Sequence, residues 1–363
     1  MSNYAQRRSK IARELRKEGT DALLVTNFVN VTYLTGFTGD DSYLLITPKH
    51  GILISDERYT TQISEECPDL ETEIRGPGVQ MLPWVAKILT KAKVKRLSVE
   101  ASSMTLELHA GLEKEVPGCE LVPCTGWVEE LRLIKDRTEI DRTRTACDQA
   151  RRAFEVVRAS LRPEMTELEV ATELEYQARR FGGKCMSFPS IVAVGYRSAL
   201  PHASPTNQRL SEADFTLIDW GVNEGLYMSD LTRVLVTGKL LPKLRKIYEV
   251  VLKAQMAAIA AIRPGVTCEA VDKVARTIID KAGYGKQFGH GLGHGTGLEI
   301  HEAPRLAQGQ SRVLAAGMIV TVEPGIYLEG WGGVRIEDDI LVTREGHEVL
   351  TSVPKQIEEC VVG

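Results

Sequence analysis

The chain has 363 residues, 43% of them hydrophobic and 26% charged, with a net charge of −4. That length gives room for two domains with separate cores, and the interspersed, near-neutral charge excludes nucleic acid or a membrane surface as an evident partner. Seven cysteines without a CxxC pair read as reduced thiols of a cytoplasmic protein. No apolar run reaches the ~20 residues of a membrane span, and MSNYAQRRSK at the N-terminus lacks the apolar core of a signal peptide.

In chain order, a basic helix is predicted over Ala5–Glu18, stopped by Gly19. Apolar strands follow at DALLVTN, SYLLITP, GILISD and RLSVE, with a helix over Met81–Lys93 before the last. This alternation predicts a small α/β domain with a mixed or parallel sheet over residues 1–130. VPCTGWVEELRLIKD reads as the junction, a Pro/Gly turn leading into charged helical sequence, and residues 131–363 make the second domain. A long helix, Thr138–Leu161, opens it. Ile140, Cys147, Ala150, Phe154, Val157 and Leu161 recur there at three- and four-residue steps, and its arginines form a solvated face.

The second domain carries a faint repeat. RPEMTELEVATELEYQARRFG at Arg162 returns as RPGVTCEAVDKVARTIIDKAG at Arg263, 101 residues later (263 − 162). Arg162/Arg263, Pro163/Pro264, Thr166/Thr267, Val170/Val271 and Gly182/Gly283 recur in step, and Thr166 with Glu169 forms a capping box. Each repeat is followed by two acids around a turn signal. Asp219 and Asp230 bracket Asn223, Glu224 and Gly225; Glu323 and Glu337 bracket Gly330, Gly332 and Gly333. With hairpins centred on Glu224–Gly225 and on Gly330, the members of each pair stand opposite one another, Cβ atoms roughly 5 Å apart. A duplicated domain with pseudo-twofold symmetry then brings both pairs to a shared centre, where four carboxylates repel unless cations hold them.

Alternation places Asp219 on a face with Phe215 and Leu217, and Asp230 with Met228, Thr232 and Val234. An acid on an apolar face is costly unless paired or metal-bound. Asp339 shares Glu337's face, as a supporting acid or as the ligand itself, while Asp338 points the other way. Between the pairs runs GHGLGHGTGLEIHE, with His290, His294 and His301. Its glycines Gly291, Gly293, Gly295 and Gly297 let backbone approach a bound group, in a spacing that fits no phosphate loop. His294 is the central ligand candidate, His290 a supporting residue, and His301 a second functional group nearby. Singly, each residue has an ordinary structural explanation: a turn-capping Asp, a strand-end Glu, a solvated loop histidine at His202. Together, four carboxylates and an imidazole make a hard, oxygen-rich site suited to two divalent metals.

The series Asp219, Asp230, His294, Glu323, Glu337 resembles the ligand order Asp, Asp, His, Glu, Glu of the pita-bread metallopeptidases, the family of methionine aminopeptidase, aminopeptidase P and prolidase. FPSIVAVG at Phe188, LPHA at His202 and the linker ELRLIKD extend the resemblance. It implies an α/β (α+β) chain: a small creatinase-like N-terminal α/β domain, then a pita-bread catalytic domain of pseudo-twofold duplicated halves. The two-domain layout resembles the Xaa-Pro peptidase branch, prolidase and aminopeptidase P. The implied cofactors are two divalent ions, Mn²⁺ ahead of Co²⁺, Zn²⁺ or Fe²⁺, on those five ligands. By the same resemblance Glu323 also transfers a proton, His202 and His301 orient substrate and stabilise the tetrahedral intermediate, and Phe188 and Ile191 receive the proline ring. His290, Arg335, Asp339 and Thr232 support them. Arg305, in HEAPR, stands where short prolidases bind the dipeptide carboxylate, which a planar guanidinium can engage through both oxygens. That favours an Xaa-Pro dipeptidase, with aminopeptidase P on longer peptides as the alternative. A metal-free creatinase-like enzyme and a non-catalytic peptide-binding relative are further alternatives, against which five intact ligands speak. Val234 stands where the family usually has Thr, and at most a change around the ligands is expected. The expected partners are a small Xaa-Pro peptide and a second copy in a homodimer, with no nucleic acid and no membrane.

Overall fold

Short apolar runs bounded by turn residues become strands in the first part of the chain and assemble one sheet. In this computed structural model, which describes residues 3–362, the strands are β1 (Ala22–Val25), β2 (Tyr43–Ile46), β3 (Gly51–Asp56), β4 (Glu71–Arg75), β5 (Arg96–Glu100) and β6 (Glu120–Cys124). Their order is β4-β3-β2-β1-β5-β6. Three neighbouring pairs are parallel and two antiparallel, so the sheet is mixed. Helices α1 (Asn3–Glu18), α2 (Phe28–Thr35), α3 (Thr60–Glu66), α4 (Met81–Lys91), α5 (Leu106–Glu115) and α6 (Trp127–Arg132) accompany it. Val85, Ile88 and Leu89 of α4 pack into one buried cluster with Leu24, Ile54, Val99 and Leu112. α1 starts two residues before the predicted Ala5 and ends, as predicted, before Gly19, which takes φ 66. α4 stops short of the predicted Lys93 because Lys93 itself adopts a left-handed φ of 55. VPC, read as a turn, instead completes β6. That strand lies at the edge of the sheet, where proline is tolerated.

A second compact unit begins at Leu133. Its first helix, α7 (Arg137–Ser160), starts at a capping box of Asp136 with Glu139 and buries Cys147, Ala150, Phe154 and Val157 from the predicted stripe. Arg151 pairs with Asp148 and Glu155 on the helix's outer side, so its arginines are the solvated face expected. Next come α8 (Glu167–Arg180), β7 (Cys185–Met186), β8 (Ile191–Val194), β9 (Phe215–Trp220), β10 (Val222–Glu224), β11 (Tyr227–Met228) and β12 (Leu231–Val236). Then follow α9 (Pro242–Ala261), α10 (Cys268–Lys281), β13 (Gly293–Gly295), β14 (Glu302–Leu306), β15 (Ile319–Val322), β16 (Gly325–Leu328), β17 (Gly332–Arg335), β18 (Asp338–Val342) and β19 (His347–Val349). The repeat is visible in three dimensions. α8 and α10 are each 14 residues long and begin 101 positions apart (268 − 167). Their N-caps, Thr166 and Thr267, each form an isolated antiparallel bridge, to Arg209 and Val313. Sheets β12-β9-β8 and β14-β13-β15-β18-β19 pack with these helices around one core, which includes Phe154, Val170, Leu217, Val271, Val320 and Ile340.

The two acidic hairpins differ in register. Val322 faces Asp338, and Gly325 faces Arg335, so Glu323 stands opposite Glu337 as the centre at Gly330 predicts. In the first hairpin Asp219 faces Thr232 and Asn223 faces Met228. The turn residues are therefore Gly225 and Leu226, at φ 54 and 74, one place beyond the predicted centre. Positive φ at both positions is the type I′ geometry that suits a twisted hairpin. Asn223 fixes the choice, its side-chain oxygen accepting the Leu226 N–H at 3.0 Å. Asp219 and Asp230 are consequently diagonal neighbours on one face, not directly opposed.

This register places Gly221 across from Asp230, where a Cβ would overlap the Ser229 carbonyl oxygen. Gly330 has open space around it and only a left-handed φ of 72. Gly330→Ala is expected to cost about 1–2 kcal/mol, and Gly221→Ala about 3 kcal/mol or more, because backbone has to move. Denaturant midpoints of the two variants check this, and equal midpoints would contradict the register.

Candidate metal centre

Each acid reaches the centre through the packing of its own strand. β9 is anchored from behind by Trp220, whose indole N–H donates to Ala150 O at 3.0 Å and whose ring stacks on Phe154 at 4.3 Å. Alternation turns Asp219 to the other face, between its cross-strand partners Ile191 and Thr232. Asp230, 5% exposed, stands just before β12 with its N–H held by Asp339 Oδ2 at 2.8 Å. Among the described residues, the ligand atoms of Asp230, His294 and Glu337 lie within 4.8 Å of one another. Asp339 is outside that group and supports it through Asp230's backbone.

His294 Nε2 lies 3.6 Å from Asp230 Oδ2 and 3.5 Å from Glu323 Oε1. Its Nδ1 sits 3.0 Å from Gly295 O, which can only accept. Nδ1 therefore carries the ring hydrogen, and Nε2 turns a lone pair to the acids. Burial pushes the His294 pKa down to about 4, so the ring is neutral at pH 7. The glycines around it do allow close approach, but to neighbouring strands. A Cβ at Gly293 would overlap Thr321 O, and one at Gly295 would overlap Ala303 O.

The electrostatics are dominated by buried like charge. Burial, then the neighbouring carboxylates, raise Asp230 and Glu337 well above the usual carboxylate range. Burial raises Glu323 to about 8 and Asp339 to about 7. Arg335 answers part of this charge. It donates to Asp219 Oδ2 at 2.6 Å, to Tyr327 Oη at 2.8 Å and to Thr232 Oγ1 at 3.1 Å. Thr232 Oγ1 in turn donates to Glu337 Oε2 at 2.6 Å. Asp219 Oδ1 is left buried without a hydrogen-bond partner. An unspent carboxylate oxygen, a bare imidazole nitrogen and acids in excess of cations are the donor set of a divalent-cation site, and these residues fit one.

The other predicted residues surround this cluster. The His301 ring packs edge-on against His294, centroids 4.4 Å apart. His290 Nε2 is 3.0 Å from Tyr327 Oη and its Nδ1 is 2.7 Å from Gly291 O. His202 is exposed and lies near both His290 and His301, whose pKa values burial lowers. Arg305 is the direct cross-strand partner of His294, so both side chains point to one face. Ile191 is buried and opposes Asp219, while Phe188 is half-buried. Val234 faces Leu217 in the apolar core, where the missing hydroxyl has no polar task.

Sequence reasoning missed three supports. Tyr327 lies on the face of the second hairpin shared by Glu323, Arg335 and Glu337, a position that alternation alone could have marked. Arg276 donates to Phe288 O and His290 O, and Asp272 accepts the Leu292 N–H, together holding the histidine loop. The signal for Asp272 is its charge on the buried stripe of α10. Glu167, fully buried, accepts from Val194 N, Thr206 N and Arg197 Nε and so clamps the loop that carries His202.

Raised carboxyl pKa values have a fixed sign for stability. Glu323, at about 8 in the folded state against 4.5, favours folding below pH 4.5 and loses that contribution as pH rises through 8. A cation that takes the ionised acids removes the penalty at high pH and competes with protons at low pH. The rise in Tm on adding Mn²⁺ to chelator-treated protein is therefore expected to grow from about pH 5.5 to about pH 8.5. Scanning calorimetry at both values checks it, and a flat or inverted difference would contradict the proposed charge balance.

The model of metallopeptidase family M24 matches residues 141–344, and that of the creatinase/prolidase N-terminal domain matches residues 7–134. An Xaa-Pro dipeptidase of Pyrococcus horikoshii is 36% identical over 349 residues, 96% of this chain and 97% of that one. The structure of an Xaa-Pro dipeptidase from Bacillus anthracis is 38% identical and superimposes with a TM-score of 0.94 over 99% of this chain and 100% of the other. That of an X-Pro aminopeptidase from Thermotoga maritima is 36% identical, with a TM-score of 0.89 over 96% and 100%. With a duplicated catalytic unit behind a creatinase/prolidase-type domain, the chain belongs to metallopeptidase family M24.

Proposed function

We propose that this chain is a cytoplasmic, homodimeric Xaa-Pro dipeptidase that hydrolyses the bond preceding a C-terminal proline. The observation that carries the reading is the gathering of Asp230, Glu323 and Glu337 around the lone pair of His294, with Asp219 near enough for its charge to raise Asp230 and Glu337. These five side chains would hold two divalent ions, Mn²⁺ by preference, which when bound supply a lowered pKa for the hydrolytic water and Lewis acidity toward the scissile carbonyl.

The protein's own residues account for the rest of the reaction. Glu323, which is ionised when cations are bound, accepts the proton that water loses and returns it to the proline nitrogen as the C–N bond breaks. His301, beside His294, and His202, near His301, donate hydrogen bonds to the substrate and to the oxygen that gains charge. Ile191, the cross-strand partner of Asp219, and the half-buried Phe188 would receive the pyrrolidine ring. Arg305, paired across the strands with His294, meets the proline carboxylate, which lies directly after the scissile bond. Likeness to both dipeptidase and aminopeptidase structures keeps a second reading, removal of the first residue from longer peptides, in which Arg305 has no carboxylate to meet.

Arg305 separates the two. With Mn²⁺ supplied, Arg305→Ala is expected to lower kcat/KM for an Xaa-Pro dipeptide about ten- to a hundredfold, and for an Xaa-Pro tripeptide much less. A wild type that prefers the tripeptide, together with equal losses on both substrates, would reassign the chain as an Xaa-Pro aminopeptidase.

A further inference from the structure

The two ligand sets sit on sheets that share no ladder. Asp219 and Asp230 belong with β12-β9-β8, while His294, Glu323 and Glu337 belong with β14-β13-β15-β18-β19. One backbone hydrogen bond, Glu337 N–H to Thr232 O at 3.2 Å, joins β12 to the ligand-bearing end of β18. Thr232 to Glu337, Asp339 to the Asp230 N–H and Arg335 to Asp219 cross on the side of the acids, and a site that needs donors from both sheets at fixed separation requires a hold on the other face as well.

Arg233 provides it from the face turned away from the acids. It is fully buried on β12, and each of its five guanidinium hydrogens has an acceptor. Nη1 donates to Thr232 O at 2.9 Å and to Glu337 O at 2.6 Å, gripping the backbone of both strands at once. Nη2 donates to Asp338 Oδ1 and Val353 O, both at 2.7 Å, and Nε donates to Pro354 O at 3.1 Å. Asp338, also fully buried, is saturated in turn. It accepts from Thr351 Oγ1 and Gln255 Nε2 at 2.7 Å and from Lys355 Nζ at 2.5 Å. A buried charge pair of this kind adds little net stability compared with apolar packing, but its geometry is rigid because every lone pair and hydrogen is assigned. It also follows directly on Glu337 in β18 and lies three residues after Asp230 in β12.

The geometry points to Arg233 as a positioning residue that sets the distance between the two ligand sets, with Asp338 as its anchor. Its task is metal affinity, exerted through Glu337 and Thr232, and it touches neither metal nor substrate. The inference rests on the metal-binding reading above.

The test is calorimetric titration of chelator-treated full-length protein with Mn²⁺, for wild type, Arg233→Lys, Arg233→Gln and Asp338→Asn. Leu174→Ala, a core truncation in α8 outside the Arg233–Asp338 hydrogen-bond network, is the control for general destabilisation. The Arg233 and Asp338 variants are expected to keep their far-ultraviolet spectrum and to bind Mn²⁺ at least about tenfold more weakly, with Lys less impaired than Gln. Leu174→Ala is expected to lose thermal stability while holding its affinity within about twofold. Wild-type affinity in Arg233→Gln, or an equal loss in Leu174→Ala, overturns the inference. Should the Arg233 variants fail to fold, Lys355→Met, at the partly exposed rim of the network, carries the same expectation in smaller measure. Failure of the wild type to bind Mn²⁺ would strike the metal-binding reading instead, so the two failures are distinct.

Discussion

Concentrated negative charge in a dry place is the constraint on which the catalytic unit turns. Asp219, Asp230, Glu337 and Asp339 are all at most 7% exposed, and Glu323 joins them at the same face. Arg335 offsets some of that charge, but one guanidinium cannot neutralise the set. Proteins seldom bury acids without compensation. The surrounding scaffold therefore makes sense as a means of holding carboxylates where divalent ions can stabilise them. Stability and function draw here on the same groups, because the acids that raise the energy of the metal-free fold are those that give the site its affinity.

Duplication supplies the means of assembly. Each half contributes a helix capped by threonine and a hairpin with two acids, and each half clamps a histidine-bearing loop with a buried acid and an arginine: Glu167 with Arg197, Asp272 with Arg276. The halves have diverged in detail. One hairpin closes on Gly225–Leu226 and sets its acids diagonally, while the other closes around Gly330 and sets them face to face. Where the two halves meet, regular strand pairing stops. Side chains take over there: Thr232 to Glu337, Asp339 to Asp230, Arg335 to Asp219, and Arg233 across both strands. Precision at the centre thus depends on polar contacts that a hydrophobic pattern does not specify.

That division explains what could be read from the sequence. Elements set by local rules were legible: the mixed sheet of the first unit, the stripe of α7, the 101-residue repeat, and the register of the second hairpin, which only one glycine-rich turn allows. The first hairpin was misplaced by one residue because NEGL offers adjacent two-residue centres, and a side-chain hydrogen bond from Asn223 decides between them. Asp219 and Asp230 were recognisable as acids on apolar strand faces, and the chain order of the five proposed ligands resembled a known family. Tyr327 and Asp272 were overlooked although strand alternation and the helical stripe marked their positions, whereas Glu167 was hidden because its partners Val194 and Thr206 lie 27 and 39 residues away along paths that only the folded chain defines. The roles assigned to the glycines of the histidine loop show the same limit: close approach was anticipated, but its object is the adjacent strand.

The central claim, that two divalent ions held by Asp219, Asp230, His294, Glu323 and Glu337 make this chain an Xaa-Pro peptidase, is most directly tested by titrating exhaustively chelated protein with Mn²⁺ while following hydrolysis of an Xaa-Pro dipeptide. Negligible turnover is expected in the metal-free protein, with a plateau of activity at two ions per chain. Undiminished hydrolysis after metal removal, or no activity at any occupancy, would contradict it.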